Sequence, residues 1–388
     1  MPSVPRVPTA YRLGDTGPAV AEVRHKLGLL GLLSDEFGGS GHPVEARYDE
    51  DVDRAVREFQ QQRGITVDGI VGPLTYRLLD EARWRLGDRI LSYAVSHLMA
   101  GDDVAVLQQR LLDMGFDCGR VDGIFGRETA AALQEFQRNV GLVADGTCGP
   151  ATLKALDRLT HTVVGGRPHV LRDDAMLHAS GPVLAGRVVV LDPGHGGPDR
   201  GVVAHGFDEA VIVEDIASRI EGRLAATGVF AFLTRGSDMD IDEAERAAFA
   251  NAAEADLVIS LHVDASTSTR ATGVATYFYG NDRYGHSSAI GERFAELVQR
   301  EVVARTDLTD CRTHGKTWDL LRRTRMPAVR IEVGYLTSSG DAARLADADF
   351  RDAVADGIVA AMHRLYLPAD EDAETGTFRI PEALVKPR

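Results

Sequence analysis

Two hydrophobic periodicities divide the chain. As far as residue 157 the apolar positions recur at intervals of three and four: Val104, Leu107, Leu111 and Met114 fall on one helical stripe, and Ala132, Leu133 and Phe136 on the next. From Gly186 onward they gather in short blocks, VVVLD, VFAFLTR, LVISLHV, VATYFY and AVRIEV, separated by helical stretches near 209–226, 242–254, 286–305 and 350–366. That alternation predicts an α/β domain with a mostly parallel sheet. Between the two regions, residues 158–185 hold no sustained period and carry glycines, prolines and histidines, the pattern of a linker and entry segment.

The helical region is an internal repeat. AVREFQQQRGITVDGIVGPLTYRLL (55–79) reappears as ALQEFQRNVGLVADGTCGPATLKAL (132–156), so Phe59, Gly69 and Pro73 correspond to Phe136, Gly146 and Pro150. Upstream, VAEVRHKLGLLG (20–31) answers VAVLQQRLLDMG (104–115), but the first copy carries extra residues within SDEFGGSGHPVEARYDE, a polar loop where insertion costs little. Each copy predicts three short helices in a small bundle, the last starting at GPxT, where proline in the first turn sacrifices no hydrogen bond.

Composition narrows the partners. With 58 acidic against 43 basic side chains the net charge is −15, which disfavours a sequence-independent grip on nucleic acid. No stretch is apolar for long enough to make a transmembrane segment, and MPSVPRVPTAYRLGDTG has no apolar core of a signal peptide, so a cytoplasmic location is the expectation. Cys118, Cys148 and Cys311 are odd in number and not closely paired, as for reduced thiols, with a Cys118–Cys148 disulfide as the less favoured alternative.

Chemistry in such sheets collects at strand ends. His195 follows VVVLDPG, His262 follows LVISL, and Glu332 sits within AVRIEVGY. Catalytic zinc takes three His or carboxylate ligands and leaves a fourth position for water, so a carboxylate is wanted beside the two histidines. Glu209 and Glu214 on FDEAVIVEDIASRIEGRL both qualify by type, but five residues apart they point about 140° from each other. Position favours Glu209, at the helix start near the loop leaving His195, where the dipole stabilises a negative charge. Glu214 is expected to face solvent or cap a neighbour. Asp192 and Asp199 are weaker candidates for the remaining acid, and Asp192 is expected to orient the loop or hold a histidine N–H. His205, His314 and His363 have no such company and are expected to be surface or packing residues.

Two family resemblances follow. VDGIFGRETAAALQEFQ (121–137) resembles the type 1 peptidoglycan-binding domain pattern VDGxFGxxTxxAxxxFQ, in a likeness covering residues 12–80 and 98–157. DPGHGGPDRG, the helix after Glu209, SLHVDA and MPAVRIEVGYLTS together resemble the zinc-dependent N-acetylmuramoyl-L-alanine amidases of the Amidase_3 family, over roughly residues 187–366. The second resemblance implies His195, Glu209 and His262 as zinc ligands, Glu332 as the catalytic carboxylate, a pairing role for Arg246, and the amide between N-acetylmuramic acid and L-alanine as substrate. The chemistry agrees: zinc acidifies water, and a carboxylate off the metal carries its proton to the leaving amine.

The implied domains are repeats at 12–80 and 98–157, a linker at 158–185, an amidase-like domain at 186–367 and a flexible tail at 368–388. One departure is Asp264, where the family pattern has asparagine. The other is location: two repeats without an export signal resemble the CwlM-like actinobacterial branch. That likeness implies an alternative role, regulation of a cytoplasmic peptidoglycan-precursor enzyme, the enolpyruvyl transferase of the first committed step. A Ser/Thr kinase acting on the tail hydroxyls of Thr375 and Thr377 would be its natural controller.

Overall fold

The computed structural model describes residues 10–33, 46–160, 177, 184–268, 270–281 and 286–367. The expected tail with Thr375 and Thr377, most of the linker, and most of the loop inserted in the first repeat lie outside them. Two compact units divide near His169. Among the described residues no helix is long and apolar enough to cross a membrane.

The first unit contains both repeats. Helices α1 (Pro18–Leu29), α2 (Glu50–Arg63) and α3 (Pro73–Ala82) form one, and α4 (Asp102–Asp113), α5 (Arg127–Asn139) and α6 (Pro150–Thr160) the other. Prolines open α1, α3 and α6, and Asp49 caps α2 by accepting a hydrogen bond from the Val52 N–H. The predicted stripes meet as expected: Val104, Leu107, Leu111, Leu133 and Phe136 are completely buried together. Phe116 packs edge-on to Phe136, their centroids 5.5 Å apart. A buried fork from Arg63 to Asp102, at 2.7 and 2.8 Å, joins one repeat to the other. Cys118, Cys148 and Cys311 are all free thiols, and burial pushes Cys148 up to about 12, so the alternative of a Cys118–Cys148 disulfide is not realised.

A seven-stranded sheet organises the second unit. Its strands are β1 (Val188–Pro193), β4 (Phe230–Leu233), β5 (Leu257–Asp264), β6 (Val274–Asn281), β7 (His286–Ser287), β8 (Asp310–Lys316) and β9 (Ala328–Tyr335). The main order is β4-β1-β5-β9-β6, with β7 and β8 both pairing with β6. Every pairing is parallel except β6 with β9 and with β7, as the alternating pattern predicts. A small hairpin of β2 (Val203–Ala204) and β3 (Phe207–Asp208) precedes α7 (Glu209–Ala226). Helices α7, α9 (Ala289–Arg305) and α12 (Ala348–Tyr366) contribute to the main apolar core on one side of the sheet, which takes in Val213, Phe294 and Ile358. On the other face, α8 (Glu243–Ala252) and α10 (Asp319–Arg323) supply Ala250 and Leu321 to a smaller cluster. A further helix, α11 (Ser339–Ala346), follows β9. The four helices and five strands expected from the pattern are present; β2, β3, β7, β8, α10 and α11 are additions to it.

Candidate metal centre

Strand β1 lies between β4 and β5 and carries Asp192, which is 1% exposed, as its penultimate residue. That carboxylate accepts hydrogen bonds from Thr234 Oγ1 (2.6 Å), Ser260 Oγ (2.7 Å) and Arg246 Nη1 (2.8 Å). Burial alone would raise its pKa, but the Arg246 charge and these bonds lower it. Asp192 therefore touches no histidine ring, which corrects that part of the expectation. It does orient the loop, through Arg246, whose guanidinium also donates to the carbonyls of Pro193 and His195 at 2.8 Å each. Arg235, two residues beyond β4, holds the same loop by donating to the carbonyls of Pro193 (2.8 Å) and Gly194 (3.0 Å). It also pairs with Glu214 at 3.1 Å, so Glu214 is an ion-pair partner and not simply solvated.

The glycine-rich bend exists because side chains have no room in it. A Cβ on Gly194 would stand 2.1 Å from His262 Cε1, and one on Gly201 would meet both Glu209 Oε2 and His195 Cδ2. His195 itself has φ 58°, the left-handed region that costs a residue with a Cβ of the order of 1 kcal/mol, a cost tolerated when the surroundings over-determine the conformation. Here they do: Arg246 fixes its carbonyl and Asp199 Oδ2 its Nδ1 at 2.7 Å.

Three distant segments converge at this point. His195 comes from the loop after β1, Glu209 is the first residue of α7, and His262 lies in β5. One donor atom from each lies within 4.8 Å of the other two. Glu209 Oε2 is 3.2 Å from His195 Nε2 and Oε1 is 2.9 Å from His262 Nδ1. The same carboxylate accepts from the backbone N–H groups of Val202 (2.9 Å) and Val263 (3.0 Å), so its position is fixed by main chain as well as by imidazoles. Burial opposes its ionisation, but the hydrogen bonds from His195 and His262 outweigh it and hold the pKa well below the usual carboxylate range. Chiefly through that Glu209 hydrogen bond, and against partial burial, His195 rises to about 9. The two rings approach edge to face, with centroids 5.1 Å apart.

Glu332 stands on β9, directly in register with His262 on β5. The residue is 6% exposed; Oε1 accepts from Arg330 Nε at 2.8 Å, while Oε2 is buried with no hydrogen-bond partner among the described residues. Nearby Asp264 has its pKa raised, first by burial and then by the charge of Glu332. All four residues singled out from sequence thus meet at one end of the sheet. The sequence pattern names Asp199 only as a weaker candidate acid and does not point to the contacts of Arg235 or Arg330. Arg330 was detectable in principle, because residues two apart on a strand share a face.

Of the other histidines, His363 is buried on α12 as a packing residue, and exposed His314 lies beside Tyr277 with ring centroids 5.6 Å apart. His205 is an exposed turn residue at φ 51°.

Residues 189–364 match the family profile described as N-acetylmuramoyl-L-alanine amidase, and residues 16–79 and 100–156 match that of the peptidoglycan binding domain. Along 382 residues the chain is 49% identical to N-acetylmuramoyl-L-alanine amidase CwlM of Mycobacterium tuberculosis, covering 97% of this chain and 94% of that one. It is 30% identical over 196 residues to N-acetylmuramoyl-L-alanine amidase LytC of Bacillus subtilis, covering 50% of this chain and 38% of LytC. Among solved structures, the catalytic domain of CwlV, an N-acetylmuramoyl-L-alanine amidase from Bacillus (Paenibacillus) polymyxa, is 30% identical. That likeness covers 46% of this chain and 95% of that one, with a TM-score of 0.42.

Proposed function

This chain belongs to the N-acetylmuramoyl-L-alanine amidase family, and from that premise we propose that it is a zinc-dependent hydrolase of the amide between N-acetylmuramic acid and L-alanine, in peptidoglycan or its precursors. His195, Glu209 and His262 hold the ion and Glu332 moves the proton. The observation that carries the reading is the meeting of two imidazoles and a carboxylate, from three separate segments, within 4.8 Å. This donor set fits zinc, since it supplies three ligands and leaves a fourth position. Asp199 on His195 Nδ1 supports it, because a ligating imidazole ordinarily gives its other nitrogen to a carboxylate or carbonyl, which fixes the ring.

Zinc bound there supplies a Lewis acid that acidifies water and polarises the scissile carbonyl. The rest falls to the protein. Glu332 offers Oε2 to the attacking water, takes its proton, and passes that proton to the alanine nitrogen as the C–N bond breaks. Arg235 and Arg246 keep the His195 loop from shifting, because between them they hold three consecutive carbonyls. The two N-terminal repeats would keep the chain on glycan while the second unit acts.

Metal analysis of the purified protein, together with a muropeptide cleavage assay on wild type and Glu332→Ala, tests the proposal. One zinc per chain is expected in both, with turnover in the wild type alone. Wild type that takes up no zinc at saturating metal ends the reading.

A further inference from the structure

We infer that Arg330 is a positioning residue for this reaction: by engaging one oxygen of Glu332 it aims the other at the scissile amide. The inference rests on the amidase reading and adds to it the residue that sets the direction of the proton carrier.

Arg330 precedes Glu332 by two positions on β9, so both side chains leave the same face of the strand. Nε and Nη2 of the guanidinium each lie 2.8 Å from Glu332 Oε1. Nη1 reaches Glu243 Oε1 on α8 at 3.3 Å, and the guanidinium carbon sits 4.6 Å from the Trp318 ring centroid. Two carboxylates and an aromatic face therefore hold Arg330, and Arg330 holds Oε1. What remains is Oε2, buried and without a hydrogen-bond partner among the described residues, on a strand whose register sets Glu332 beside His262. A bare buried carboxylate oxygen is costly to fold around. Here its cost is matched by a use, because a general base works best when a third group fixes its direction. Lysine could supply the charge at this position but not the planar fork.

The test compares the zinc-loaded full chain with its R330M and R330K variants on a muropeptide. For R330M the expected result is a kcat lower by about 10- to 100-fold, with KM little changed and zinc content intact. R330K is expected to stay close to R330M in kcat, since charge returns but the fork does not. A purely structural arginine would reduce the folded fraction and leave kcat per folded, zinc-loaded chain at the wild-type value, which overturns the inference, as does an R330K enzyme with wild-type kcat. Wild type that binds zinc and cleaves nothing removes the amidase reading and the catalytic sense of Arg330 with it; R330M with wild-type kcat, where the wild type turns over, overturns Arg330 alone.

Discussion

At the scale of single residues, the neighbours of the donor atoms matter as much as the donors. Asp199 fixes one nitrogen of His195 while the other faces Glu209, so Asp199→Asn should keep the fold and weaken zinc binding by about 10- to 100-fold, read by competition with a chromophoric chelator. An unchanged affinity would make Asp199 a surface contact only. Gly194 carries the opposite kind of constraint: the added methyl of Gly194→Ala cannot coexist with the His262 ring where it now lies. Zinc stoichiometry should fall well below one per chain while the circular dichroism spectrum stays native. The convergence of His195, Glu209 and His262, the proposed donors, was legible in sequence because each closes an apolar block or opens a helix. Of the two roles expected of Asp192, orienting the loop is met and holding a histidine N–H is not, for a reason of direction: its side chain leaves β1 into the buried company of Thr234, Ser260 and Arg246, and only beyond Gly197 does the chain bring Asp199 back to His195.

Among the elements, a single hydrogen-bonded cassette recurs three times. Gln60, Gln108 and Gln137 each donate to an Asp-Gly turn carboxylate (Asp68, Asp122, Asp145) and to a threonine (Thr75, Thr129, Thr152), while accepting from the turn glycine N–H. In the first half of the first repeat Arg24 stands in the corresponding place and bonds the Arg47 carbonyl and Asp49. Arg47 and Asp49 belong to the polar stretch that carries the insertion, and the longer arginine side chain reaches both. Gln137→Leu strands a buried glycine N–H and should cost about 1–3 kcal/mol, measured by denaturant unfolding. Helix α12 supplies a pH effect of definite sign. Burial pushes His363 down to about 4, and neither ring nitrogen has a hydrogen-bond partner among the described residues. From pH 6.5 down to 4 the unfolded chain binds a proton that the folded chain refuses, so stability falls with acidification by up to about 3 kcal/mol. In zinc-free protein, His363→Leu should flatten that slope in urea midpoints taken from pH 7 to 4; a slope equal to wild type would assign the effect elsewhere. Elements with long apolar blocks were visible in sequence. β8 was not, since DCRTHGK carries no such block and gains its place by pairing with β6.

For the whole molecule, the separation of binding repeats from chemistry has a thermodynamic consequence. The repeats bury their own cluster around Phe136, and the sheet buries another around Val213 and Phe294. The three proposed metal donors all belong to the second compact unit. A ligand stabilises only the unit whose folded form binds it, by about 4 kcal/mol at a thousandfold excess over Kd. Calorimetry of the full chain should therefore resolve two transitions, of which saturating zinc moves one upward by roughly 10 °C. Gln137→Leu should lower the other and leave the zinc shift intact, whereas Glu209→Gln should remove the zinc shift and spare the transition of the repeats. The pair of variants is needed, because a zinc shift alone could come from stray coordination by exposed acidic groups, abundant in a chain of net charge −15. Such coordination would survive Glu209→Gln, and its survival would refute the assignment of the ion to this centre.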